Sequence, residues 1–321
     1  MEDLVGELRE LRVPPELAGE RLDVALVRLA PDLSRARVQR LIAGGRVELA
    51  GRALRAAARV RTGERIAVRI PPPEPAALAA EDLPLTVLFE DPDLLVLDKA
   101  AGMVVHPARG APRSTLVNAL LFRLAPATGE PPPRLGLVHR LDRDTSGCLV
   151  VARSEAALGA LQAQWKARTV EKVYLALCHG LLAEKGRIDT PYRRHPRDRT
   201  RFTGRLEAPR RAVTSFRTLE RFGRGATLAE VILHTGRTHQ IRVHLAEAGH
   251  PLLADPVYGG TRREARLPAG DPVRRAAAEL GRQALHALRL GFDHPRTGAR
   301  LLFEAPLPAD LRRALAALRS G

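Results

Sequence analysis

The chain of 321 residues is poor in cysteine, with two, and in aromatic side chains, at 3%. Cys148 and Cys178 both sit inside apolar runs and read as small core residues, so neither a disulfide nor a cysteine metal site is expected. No apolar run approaches the ~18 residues a membrane span requires. The opening Met1-Glu2-Asp3 is acidic, unlike a signal peptide. The sequence therefore reads as soluble and cytoplasmic, with no membrane partner. It also lacks a G-x-G-x-x-G element and a P-loop, so a nucleotide cofactor has no cradle and no cofactor is expected.

What the chain has in excess is positive charge. Lys and Arg number 52 against 36 acids, a formal net charge of +16. A bias toward arginine inflates this figure without supplying the whole surplus. Such an excess points to a polyanion, because each phosphate neutralised releases counterions and adds affinity. Nucleic acid is the favoured partner.

Three segments emerge. Residues 11–70 are compact and basic, residues 71–82 read as a stiff Pro-rich linker, and residues 83–321 alternate apolar strands with amphipathic helices. In the first segment a helix begins near Arg21. Ser34 is the expected cap of a second helix, Arg35 to Ala43, with Val38, Leu41 and Ile42 on one face. Arg35, Arg37, Arg40, Arg52 and Arg55 line its outside with Arg59 and Arg61, and are the candidate RNA contacts, a solvated face being the plain alternative.

In the third segment Leu85 to Glu90 and Leu94 to Lys99 read as a hairpin about Asp-Pro-Asp. Ser114 and Ser154 are expected helix caps, and further strands fall at 173–179, 213–219, 227–234, 287–292 and 300–304. Strands outnumber helices and arrive partly in adjacent pairs. The fold class is α+β, a largely antiparallel mixed sheet with flanking helices plus a small N-terminal α/β domain.

The most informative stretch is Gly136-Leu137-Val138-His139-Arg140-Leu141-Asp142-Arg143-Asp144-Thr145-Ser146-Gly147, followed by the apolar run 148–152. A strand–loop–strand element of this kind can hold Asp142 in a fixed place at the rim of a sheet. An ion-paired loop is the plain alternative, and a two-carboxylate glycosidase pairing with Asp144 lacks a second acid in suitable context. A second stretch, His234 to Leu245, carries Arg242 and His239, with Thr238 as expected N-cap. Its His239 and His244 are no zinc pair, because five residues on a helix turns them roughly 140° apart. A third, Glu171-Lys172-Val173-Tyr174, offers an aromatic on a strand.

These stretches together resemble the RNA pseudouridine synthases, in the branch that modifies large-subunit ribosomal RNA. HRLDRDTSG resembles the family's catalytic motif, TGRTHQIRVHLA the motif whose arginine pairs with the catalytic Asp, and KVY its K-x-Y motif. Lys99 to Pro107 resembles the first motif, with Ala100 where Pro is usual. GERLD, SRARVQRLI and GGRVELAGR resemble the S4-like RNA-binding domain. DLPLTVLFEDPDLLVLDK, RSTLVNALL, DPVYGG and GRQALHALRL look most like the D type of large-subunit enzyme.

The resemblance implies that Asp142 is the catalytic carboxylate, as nucleophile or, as we lean, as a base on the sugar. It makes Arg242 the ion partner of Asp142 and sets Tyr174 on the face of the target base. It also gives Arg140 the void left in the RNA. His139 is a structural or RNA-facing neighbour, and Leu288 a candidate wall of the uracil site, with a core role the alternative. The expected partner is large-subunit ribosomal RNA or the assembling large subunit, modified in the helix 69 stem-loop by a monomeric enzyme. A C-type synthase acting on other uridines and a non-catalytic ribosome-assembly factor are the competing expectations.

Overall fold

The computed structural model describes residues 7–33, 35–49, 52–53, 55–71, 79–107, 111–124, 136–223 and 225–320. The chain divides into two compact units, Met1–Ala77 and Leu78–Gly321. Most of the segment expected as a linker, residues 72–78, lies outside the described residues, as does Ser34, the expected cap of the second helix.

In the first unit the helices Leu22–Leu29 and Arg35–Ala43 accompany a sheet in the order Glu7–Arg12, Arg65–Ile70, Val47–Leu49, Arg52–Ala53. Alternation in Arg65–Ile70 buries Ile66, Val68 and Ile70, which join Leu22, Leu26, Val38 and Leu41 in one core. At the start of the first helix Asp23 is fully buried. It accepts from Arg21 Nε at 2.9 Å, Arg35 Nη2 at 3.0 Å and Gln39 Nε2 at 3.1 Å. The hydrogen bond from Arg21, helped by Arg35 and Gln39, outweighs burial and holds the carboxyl well below the usual range.

The second unit is built on a mixed sheet. Its strands run in the order Lys185–Pro191, Arg211–Phe222, Ala226–Leu233, Glu171–His179, Leu285–Asp293, Ser146–Ala152, Leu94–Lys99, Thr86–Glu90. Gly136–Leu137 pairs with Ser146–Ala152, and Arg300–Glu304 with Leu285–Asp293. Neighbours are antiparallel except where Leu285–Asp293 meets Ser146–Ala152 in parallel, His286 opposite Ser146. That junction needs Gly147: its φ is +112°, and a Cβ there would lie 2.2 Å from the Ala287 carbonyl oxygen.

Strand alternation sorts side chains between the two faces. One face buries Leu97, Leu149, Tyr174, Ala176, Val231 and Leu285 with Leu116, Leu120, Ile241 and Leu245 from the helices Leu116–Leu124 and Gln240–Glu247. On the opposite face Leu175, Leu177 and Leu228 pack with the helices Pro272–Leu280 and Ala309–Arg319. Both cysteines are buried and free.

Two expected caps differ. The helix expected after Ser114 starts at Leu116; Ser114 adopts φ +55° and bonds Glu81 instead. Thr115 does the capping: its hydroxyl accepts from Asn118 N–H at 3.4 Å, and Asn118 Oδ1 accepts from Thr115 N–H at 3.0 Å. Thr238 is not a cap either. His239 holds the N-cap position in the left-handed region with no side-chain cap bond. Ser154 caps its helix as expected, accepting from Ala157 N–H at 3.1 Å. Among the described residues no helix is long and apolar enough to cross a membrane.

Candidate active site

Asp142 sits on the loop between Gly136–Leu137 and Ser146–Ala152, and each end of the loop is tied down. Leu141 beside it is buried in the core. The Asp142 carbonyl closes a turn by accepting from Thr145 N–H at 3.1 Å. Two buried cations brace the carbonyls that follow. Lys99 Nζ donates to Arg143 O at 3.0 Å as well as to Ala100 O and Met103 O, and burial pushes it down to about 8. Arg282 Nη1 donates to Asp144 O at 2.8 Å while its Nε reaches Asp310 Oδ2 at 2.6 Å. The Asp142 side chain therefore projects from a loop held at several points, the condition for accurate placement of a reacting group.

Arg242 is the hinge of the site. Its Nη1 donates to Asp142 Oδ2 at 3.1 Å. Its Nε and Nη2 make a bidentate pair with Asp255, at 2.7 and 3.0 Å. Asp255 is fully buried and also accepts from Val257 N–H at 2.9 Å and Tyr258 N–H at 3.0 Å. Burial opposes charge on both groups. The pairing outweighs it, so Asp255 lies below and Arg242 above its ordinary value. The guanidinium also lies 5.2 Å from the centre of the Tyr258 ring.

His239 Nε2 stands 3.9 Å from Asp142 Oδ2, and its Nδ1 is 2.9 Å from the Tyr258 hydroxyl. Burial, partly offset by the charge of Asp142, lowers His239 and favours the neutral ring.

These groups open on a cavity of about 610 Å³ lined by Asp142, Arg242, Tyr174, Arg140, His139, Lys172, His239 and Leu285 among others. The structure thus brings together Asp142, Arg140 and His139 from one stretch of the sequence with Tyr174 and Arg242 from two others. Arg140 is exposed at the cavity. His139 is occupied structurally: its ring stacks on Trp165 at 4.9 Å, and its Nε2 accepts from Val150 N–H at 3.1 Å. Burial, with help from Lys172, pushes it down to about 3, so the ring is neutral.

Leu288 does not line the cavity. It packs with the helices Pro272–Leu280 and Ala309–Arg319, beyond a register shift between His286 and Arg289, and Leu285 takes the wall position. Asp144 is also outside the cavity, its side chain 3.8 Å from Arg143 Nε. In the first unit Arg35, Arg40 and Arg55 are exposed and Arg37 is half-exposed, Arg35 while still bonded to Asp23. The side chain of Arg52 lies outside the described residues.

A triad of Asp91, Asp93 and His294 has ligand atoms close enough for a metal ion. The ring is differently employed. Its Nδ1 accepts from Arg296 N–H and Thr297 N–H at 3.1 Å each, which leaves Nε2 to carry the proton it donates to Asp91 at 2.7 Å. The triad is a clip between two turns.

Sequence reasoning missed Asp255 and Tyr258 as parts of the site. A signal was present: Asp255 interrupts the apolar run Leu252-Leu253-Ala254, and an acid in such a run needs a cation.

A carboxylate held by a buried arginine at the edge of a cavity with a tyrosine in its wall, on a mostly antiparallel sheet, is an arrangement that can present one carboxylate oxygen to a bound ligand. The chain belongs to the RNA pseudouridine synthase family: residues 93–247 match RNA pseudouridylate synthase and residues 20–66 match the S4 domain. It is 46% identical to Ribosomal large subunit pseudouridine synthase D of Xanthomonas campestris, over 99% of this chain and 95% of that one. It is 42% identical to the protein of the same name from Pseudomonas aeruginosa, over 99% and 98%. An uncharacterized RNA pseudouridine synthase of Chloroflexus aurantiacus is 49% identical over 99% and 96%. Among solved structures it is similar to Human RNA Pseudouridylate Synthase Domain Containing 1, with TM-score 0.55 and 26% identity over 75% of this chain and 97% of that one.

Proposed function

We propose that this RNA pseudouridine synthase acts in the cytoplasm on uridines of large-subunit ribosomal RNA, in the helix 69 stem-loop, with Asp142 as the reacting carboxylate. The observation that carries the mechanism is the single bond from Arg242 to Asp142 Oδ2, made by an arginine that Asp255 already fixes. It orients one oxygen and leaves Oδ1 without a partner among the described residues, facing a cavity that suits a flipped base. The target supports itself on relatives named for large-subunit modification that match nearly the whole chain.

In this reading Asp142 removes a sugar proton or attacks the sugar, and Arg242 keeps it aligned. Tyr174 lies against the uracil face. Exposed Arg140 enters the gap the base leaves, where a planar guanidinium can stack and hydrogen-bond at once. The first unit anchors the RNA through Arg35, Arg37, Arg40, Arg52 and Arg55, by phosphate contacts that position without reading sequence.

The test is pseudouridine mapping of large-subunit RNA from cells lacking the protein, complemented with wild type or Asp142→Asn. Loss of helix 69 marks restored by wild type alone supports the reading. Loss at other large-subunit sites moves the substrate to that of a C-type enzyme. Unchanged marks remove the ribosomal target, and a growth or assembly defect rescued equally by Asp142→Asn would favour an assembly role.

A further inference from the structure

Two polar side chains in the cavity have no partner among the described residues. Strand Glu171–His179 places Lys172 and Tyr174 two residues apart, hence on one face of the sheet, and both line the cavity that holds Asp142. Each is only 8% exposed. Neither the Lys172 ammonium nor the Tyr174 hydroxyl hydrogen-bonds or ion-pairs with a described residue, and neither atom is sealed from the cavity. The charge felt by Lys172 is that of Arg168, of its own sign, at the end of helix Glu155–Ala167, and among the described residues no carboxylate forms an ion pair with it.

A buried cation without a counter-ion is costly, and buried tyrosine hydroxyls ordinarily find a partner. Two such groups side by side point to a ligand that brings the missing charge. The RNA offers two kinds of negative charge. Its phosphates are permanent and bulky, and exposed Arg140, Lys166 and Arg168 at the same cavity can meet them. The second kind appears only during reaction. When N1–C1′ breaks, the bonding pair stays on N1, and the freed uracil carries one negative charge shared with its carbonyl oxygens. At the sugar, a carboxylate oxygen of Asp142 bonds C1′, or Asp142 takes the C2′ proton to leave a double bond. After the base turns, C5 bonds C1′, the Asp142 bond breaks or the C2′ proton returns, C5 gives up its proton and N1 gains one. Nothing is consumed.

We propose that Lys172, assisted by the Tyr174 hydroxyl, is the counter-charge for the uracil anion in that interval. The inference rests on the reading of Asp142 as the reacting carboxylate and Tyr174 as the base platform. A preorganised charge of this kind accelerates the step by stabilising what exists only after the bond breaks, and it adds little to binding of the intact uridine.

The experiment measures single-turnover rate and RNA affinity with full-length protein and a large-subunit RNA transcript. The variants are Lys172→Met, Lys172→Arg and Tyr174→Phe. Lys172→Met should slow the rate by about 10²-fold or more while affinity stays within about twofold, since uniform binding is not what it removes. Lys172→Arg should recover part of the rate, and Tyr174→Phe should lose less than Lys172→Met. The melting temperature of Lys172→Met should hold or rise, because an uncompensated buried charge has been removed.

A preserved rate with weakened affinity and a shallower salt dependence would assign Lys172 to a phosphate and overturn the proposal. Unchanged rate and affinity would overturn it as well. If Lys172→Met fails to fold, Lys172→Arg decides: a charge-preserving variant as slow as a Tyr174→Ala control would sink the idea. Failure of the underlying reading is separate, because wild-type protein would then leave this RNA unmodified.

Discussion

Asp142 and Asp255 share one guanidinium and differ in everything else that matters. Asp255 has no exposed surface: its Oδ1 accepts from Arg242 Nη2, Val257 N–H and Tyr258 N–H, and its Oδ2 from Arg242 Nε. Asp142 keeps 17% of its side-chain surface exposed and takes a single arginine bond. A carboxylate closed off from solvent and engaged at both oxygens can hold a cation but cannot reach a substrate. One left partly free can react but cannot fix its own position. Arg242 joins the two jobs: it is rigid because of Asp255 and directive because of Asp142.

The comparison breaks first at Asp142. Asp142→Asn should lower pseudouridine formation on the order of 10⁴-fold, measured by tritium release or mapping, with RNA affinity and melting temperature close to wild type. Asp255→Asn should do the reverse in kind. It leaves the buried Arg242 with only its single bond to the Asp142 carboxylate and should cost about 3 kcal/mol of stability in urea or thermal unfolding, with activity falling as Arg242 loses its alignment. An Asp255→Asn protein as stable as wild type would remove the anchor role.

Arg242→Lys sharpens the contrast, because an ammonium cannot serve a bidentate pair and a second carboxylate in fixed directions. The expected result is about 10²-fold lower kcat with little change in RNA affinity.

A smaller effect follows from pH. His139 is held neutral, its value lowered to about 3 against an ordinary 6.5. The unfolded chain therefore binds a proton that the folded chain refuses between those values. Stability should fall as pH drops through that window, by up to about 1.4 kcal/mol per pH unit, and level off below it; replacing His139 with Gln should flatten that part of the pH–stability curve. Smallest is Tyr258→Phe, which removes a hydroxyl that accepts from Phe202 N–H and meets His239. It should cost about 1 kcal/mol, with activity reduced only as far as His239 loses its orientation.

Much of the strand pattern was legible, because alternation and β-branched runs survive in short stretches. Arg300–Glu304 and the hairpin around Asp91 to Asp93 fall where periodicity puts them. The ends of helices were less legible. Ser114 and Thr115 are chemically equivalent as caps, and what separates them is Glu81, a residue distant in sequence that captures Ser114. The meeting of Asp142, Tyr174 and Arg242 at one cavity was legible because each lies in a compact motif. It was illegible where a role depends on a tertiary partner: nothing near Asp255 names Arg242. Leu288 takes the core role that was its stated alternative, packed with the helices Pro272–Leu280 and Ala309–Arg319.

The brace on the reacting loop sets an order of events during synthesis. Of the groups that position Asp142 only Lys99 is made before it: Arg242 and Asp255 come later, and Arg282, which grips the Asp144 carbonyl, is itself tied to Asp310 on the helix Ala309–Arg319. Contacts of such long sequence separation form late, when most of the chain is already available. A nascent chain would carry its RNA-binding unit long before its chemistry was competent. The arrangement around Asp142 is thereby complete only once the chain has been made through Asp310.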